Sequence, residues 1–152
     1  MWTCPGSDHL TRAQEEYLSG MEARRQKHLV LILAREVASN LATPTFIADG
    51  EGKLVFYNEA AEAVIGNPFA EAGEMPLDEW VASFEPRTLE GEELPARSKP
   101  ATIALNERRP AHERLRIRSR DGVEREVSAT ALPLFAHADE FVGIIAFVWR
   151  EQ

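Results

Sequence analysis

Residues Ile47–Gly66 read IADGEGKLVFYNEAAEAVIG, and their period changes at Tyr57. Up to that point the chain reads as two short β-runs, TFIAD (45–49) and KLVFY (53–57), joined by the glycine-bearing turn GEG. From Asn58 it reads as a helix: asparagine is a good N-cap, EAAEAVI is helix-forming, and Gly66 is a suitable stop. A hairpin that hands its chain straight to a short helix is thus the unit around which the rest must be placed.

Upstream, Thr11 followed by Gln14 fits a capping box, and Pro44 ends the pattern by holding Thr43 extended. We therefore expect a flexible start at 1–10, a helix over 11–40 and a globular domain over 41–152. Leu29, Leu33, Val37 and Leu41 fall on one stripe of that helix, while its front half is polar apart from Tyr17, Leu18 and Met21. Arg24 and Arg25 interrupt any heptad seam, so no coiled coil is signalled. Downstream, 67–99 is broken by prolines and glycines, and only LDEWVASF makes a short helix. Pro100 suits the first turn of ATIALNERR, which Pro110 ends.

The C-terminal third carries three strands, HERLRIRS, EREVSATALPLF and EFVGIIAFVW. A two-residue loop after the first would set Leu115 and Ile117 opposite Ser128 and Glu126, mixing core with solvent. With the three-residue loop Arg120-Asp121-Gly122, Leu115 faces Val127, Arg116 faces Glu126 and Arg118 faces Glu124, with Gly122 at the left-handed position. The last strand is apolar on both faces. Phe141, Ile145, Phe147 and Trp149 share one; Val142, Ile144, Ala146 and Val148 share the other. We expect the first face to line the domain's interior and the second to be covered by the apolar half of the N-terminal helix.

The economical architecture is α+β: a five-stranded antiparallel sheet with helices on one face and a long N-terminal helix. Asp49 and Gly52 in the first turn, Asn58 opening the helix, the Asp121-Gly122 turn, Pro133 ending the fourth strand and Gly143 in the fifth together make residues 41–151 resemble a PAS domain. The resemblance implies a sensory or signalling module that binds haem, flavin, a small metabolite or nothing, and that pairs through the helix preceding its first strand. Many such domains continue into an output helix, whereas this sequence stops at VWREQ; a separate signalling partner, such as a kinase or transcription regulator, is the expectation.

Composition bounds the function. The 152 residues suffice for one domain, the net charge of −8 disfavours nucleic acid, and no apolar stretch suits a membrane span. One cysteine and no secretory leader point to the cytoplasm. Acidity concentrates in 71–93, with eight acids and one base; 97–125 holds nine bases and four acids. The strand arginines explain most of that basic segment as a solvated face matched by glutamates. Flavin photochemistry needs a cysteine in the helical segment, yet the only one is Cys4; haem needs a histidine on the longer helix, which has none. His112 and His137 read as exposed strand-end or turn residues. Neither cofactor is expected, and no catalytic motif or metal-ligand spacing is present.

Two functions remain. In one, a pocket for a small apolar metabolite is lined by Phe46, Phe56, Val64, Ile65, Trp80, Phe84, Ile103, Leu115, Ile145 and Phe147. In the other, the chain is a ligand-free homodimeric interaction module whose core is simply filled. In either, the expected homodimer and partner surface comprises Tyr17, Met21, Leu29, Leu33, Val37, Val142, Ile144 and Val148.

Overall fold

The computed structural model describes residues 10–66, 73–119 and 122–150, with the side chains of 22–28 and 138 left aside. Helix α1 (Arg12–Ser39) leads into strands β1 (Thr45–Asp49) and β2 (Leu54–Tyr57). Helices α2 (Glu59–Ile65), α3 (Leu77–Ala82) and α4 (Pro100–Glu107) follow. Strands β3 (Ala111–Arg118), β4 (Glu124–Phe135) and β5 (Phe141–Arg150) complete the chain. All strand pairs are antiparallel, in the order β2-β1-β5-β4-β3. The first 9 residues, with the expected flexible start and Cys4, and Asp121 lie outside the described residues.

Local chemistry sets the element ends. Thr11 caps α1 in a capping box with Gln14. Asn58 caps α2, and Gly66 closes it at φ 90°. Asp49 Oδ1 accepts the N–H groups of Glu51 and Lys53 at 2.9 and 3.0 Å, folding the first turn around Gly52. The β3–β4 register is the one read from side-chain parity: Leu115 opposite Val127, Arg116 opposite Glu126, Arg118 opposite Glu124. The Ser119 N–H donates to the Val123 carbonyl, leaving three residues between them, and Gly122 takes φ 78°.

Both sheet edges are partly covered. The Leu54 N–H of β2 donates to the Met75 carbonyl, beside the 2.9 Å Lys53–Glu74 ion pair. The side-chain hydrogen bond from Lys53 to Glu74, with the attraction of that carboxylate, raises the Lys53 pKa above its ordinary value. On the other edge, Arg87 exchanges two backbone hydrogen bonds with Arg116 of β3.

Two features differ from expectation. Pro133 does not end β4, which continues to Phe135. At Ala131 it has already outrun β3, whose first residue is Ala111, so the missing N–H of Pro133 removes no ladder bond on that side. From Ile144 to Val148 the faces of β5 are also reversed, whereas Phe141 packs against the main core as expected. Ile144, Ala146 and Val148 point into the main core, and Val142 is buried too; Ile145 and Phe147 point out toward α1. Parity could not choose between two apolar faces, but size could: Phe46 of β1 stands opposite Ala146, and Ile144 opposite Ala48. Large meets small on the inner face, which relieves crowding around the aromatic residues there.

The docking side of α1 is likewise not the expected stripe. Ala34 and Ala38 are buried, with Leu31 beside them, against Ile47, Ile145, Val55, Phe56, Leu134 and Phe147. Leu29, Leu33 and Val37 remain 54%, 56% and 58% exposed. The sheet supplies the bulk here, and alanines let the helix axis come close.

Candidate functional site

The inner face of the sheet and the segment from α3 to α4 enclose a cavity of about 70 Å³. Its wall is aromatic. Trp80 stacks on Phe46 with ring centroids 5.7 Å apart and planes 16° from parallel, and Phe84 meets Phe46 edge-on at 5.3 Å. Trp80 also carries its indole N–H to the Gly52 carbonyl at 3.5 Å, tying α3 to the first turn. Leu115 and Ile117 of β3, Val127 and Ala129 of β4, and Ala146 and Val148 of β5 line the sheet side. Pro86, Leu94, Lys99, Pro100 and Ala101 close the remainder.

Of the ten expected lining residues, Phe46, Trp80, Phe84 and Leu115 border this cavity from the core side, and Phe147 also borders it although its side chain packs in the cluster under α1. Phe56 and Ile145 do not, because they lie under α1 on the outer face. Val64 and Ile65 pack on the core's edge from α2, and Val64 lines a separate, more polar groove with Ser119, Arg125 and Arg150. Ile103 is buried in α4 but does not reach the cavity. Lys99, Leu94 and Ala129 were missed. For Ala129 a signal existed, since the hairpin register sets it two residues from inward-facing Val127. Leu94 and Lys99 belong to an irregular segment without periodicity.

Behind the sheet, Asn58 joins α1 to the domain. Its Oδ1 accepts from the N–H groups of Thr45 and Ala61, both at 3.0 Å. Its Nδ2 donates to the carbonyls of Ala38 and Thr43 at 2.9 Å, with Leu41 at 3.3 Å. One buried amide thus holds the end of α1, the connecting turn, the start of β1 and the start of α2. Partners of this number in a site shielded from water make the side chain costly to replace. Arg35 of α1 adds a contact over the Phe56 ring, 4.8 Å from its centroid.

His112 is exposed on the outer face, its Nδ1 2.6 Å from the Thr130 hydroxyl and its ring 5.7 Å from that of Trp149. His137 is exposed in the last turn. Among the described residues no cluster of His, Cys, Asp or Glu could hold a metal, and no helix is long and apolar enough to cross a membrane.

This architecture is the PAS fold. The PAS domain of Bordetella pertussis BvgS superposes with a TM-score of 0.58 at 18% identity, covering 80% of this chain and 85% of that one. The PAS domain of nitrogen regulation protein NR(II) from Vibrio parahaemolyticus gives 0.54 at 15% identity, over 78% and 98%. The light-state dimer of the fungal blue-light photoreceptor Vivid gives 0.56 at 11% identity, over 73% and 79%. No protein-family model and no curated protein sequence matches the chain.

Proposed function

We propose that the protein is a PAS sensory and signalling domain that works as a homodimer. In this reading it relays a signal by protein–protein contact to a separate signalling protein, such as a kinase or transcription regulator. A small, largely apolar ligand in the aromatic-walled cavity is the input.

The observation that carries the proposal is the two-sidedness of α1. One side, Ala34 and Ala38, is spent on the sheet, while the other holds Leu29, Ile32, Leu33 and Val37 exposed within two and a half turns. Leu18, also exposed, lies eleven residues before Leu29, about three turns away on the same side. The helix is about 42 Å long, yet among its described side chains those packed in the cluster on the sheet run from Leu31 to Ala38. A second copy of α1 is the occupant that matches this length. It offers the same stripe to itself, as a two-fold interface requires. That one protein of this fold, Vivid, is a dimer in its light state is consistent with the reading.

Light scattering of the intact protein tests it. We expect a dimer at micromolar concentration, and a monomer with an unchanged melting temperature for the Leu29→Glu/Leu33→Glu/Val37→Glu variant, because these side chains are exposed in the single chain. A monomeric parent, or a variant that stays dimeric, would refute it.

A further inference from the structure

At one end of the sheet the inner face changes character on three adjacent strands. Ile117 of β3, Val127 of β4 and Val148 of β5 pack in or against the main core. Two residues further toward that end, on the same face of each strand, stand Ser119, Arg125 and Arg150. The pairing sets Arg125 opposite Ile117 and Arg150 opposite Val127, so the two arginines are diagonal neighbours, within reach of one ligand. All six residues line a groove of about 480 Å³, roofed by Ala60, Ala63 and Val64 of α2. Its floor of Ile117, Val127 and Val148 also forms part of the cavity wall. Among the described residues no Asp or Glu lines the groove, although two cations do.

Ser119 gives an independent sign of a ligand. The residue is only 8% exposed, and its hydroxyl has no hydrogen-bond partner among the described residues. No side-chain polar atom of those residues is both sealed from solvent and unpartnered, so this hydroxyl opens into the groove that it lines. Arg150, exposed on the rim, has no ion pair among the described residues either. We propose that the groove binds an aliphatic carboxylate. Its head lies between Arg125, Arg150 and the Ser119 hydroxyl, and its chain lies on Ile117, Val127 and Val148 beneath α2. A guanidinium fork matches a carboxylate, and the hydroxyl can donate a further hydrogen bond. An inorganic anion would leave the apolar floor bare, and a neutral chain would leave the arginines unused. The volume falls within the roughly 300–1,000 Å³ of small-molecule sites, and a mainly apolar lining with few polar groups is their usual make-up. The groove is a site apart from the cavity, so the inference depends neither on a ligand there nor on the dimer.

Calorimetric titration of the intact protein with octanoate, with octanamide as its neutral isostere and with acetate as the head alone, tests the assignment. Octanoate should bind about tenfold or more tightly than octanamide, the scale of one charge-assisted hydrogen bond, and acetate should bind far more weakly than either. Arg150→Gln should remove most of the advantage over octanamide. Ala63→Phe, which fills the groove from an exposed position of α2, should weaken octanoate and octanamide alike by several-fold. Both variants should melt like the parent, since both side chains are exposed. Equal affinity for octanoate and octanamide, or an Arg150→Gln variant that binds octanoate as before, overturns the carboxylate head. Octyl phosphate binding more tightly than octanoate overturns it too, in favour of a phosphate. An Ala63→Phe variant with unchanged affinity overturns the placing of the chain, and a parent protein that does not bind octanoate overturns the site.

Discussion

The two faces of β5 are equally apolar in sequence and are buried in different ways. The inner face carries Ile144, Ala146 and Val148 under α3, α4 and the chain between them, with aromatic side chains and a cavity above it. The outer face carries Ile145 and Phe147 under one helix, which meets them through Ala34 and Ala38. On the inner side, large residues come from several elements and leave space. On the outer side, the sheet supplies most of the large residues, and the helix comes close through Ala34 and Ala38, with Leu31 and Arg35 beside them. The difference separates a side that keeps open space from a joint that fixes a helix.

The largest test bears on both faces at once. Gly143 stands opposite Asp49, and a Cβ there would meet the Ala48 carbonyl oxygen and lie 3.1 Å from the Asp49 Cα. Gly143→Val should therefore cost at least about 3 kcal/mol in urea denaturation, since the clash is with backbone that cannot rotate away. A variant as stable as the parent would break the β1–β5 register on which the assignment of faces rests. Next is the joint. Asn58→Ala takes the side-chain acceptor from the Thr45 and Ala61 N–H groups and one donor from each of three carbonyls, for a loss of about 2–3 kcal/mol. Hydrogen exchange should show residues 34–40 losing protection before β3 and β4 do. The contrast itself is sharpened by adding bulk on each side. Ala38→Leu, at a position with 0% exposure, should cost about 1–2 kcal/mol by lifting α1. Ala129→Val, beside the cavity, should change stability by less than about 0.5 kcal/mol, since there is room and valine suits a strand. Equal costs would erase the distinction between joint and cavity.

Local signals were legible. The Thr11 and Asn58 caps, the Gly66 stop, Pro100 in the first helical turn and the Gly122 hairpin are short-range chemistry, and each is where the sequence places it. The Arg116–Glu126 and Arg118–Glu124 pairs followed from parity because that strand has one polar and one apolar face. The faces of β5 did not follow, because parity carries no information when both faces are apolar. The docking side of α1 was hidden for a related reason: its larger side chains Leu29, Leu33 and Val37 drew attention from Ala34 and Ala38, whose value lies in being small. Half of the expected lining residues border the cavity. The misses are Phe56 and Ile145, which carry the consequence of the reversed faces, and Val64, Ile65 and Ile103, which lie on helical surfaces directed elsewhere.

Helix α1 belongs to the domain, covering Ile47, Ile145 and Phe147 rather than Val142, Ile144 and Val148. Removing residues 1–40 tests it most directly, with light scattering and binding of a hydrophobic dye as the readings. The protein should aggregate or bind dye strongly, because an apolar sheet face is uncovered and Asn58 loses its Ala38 acceptor at once. A truncated protein that stays monodisperse, binds no dye and melts like the parent would contradict the account.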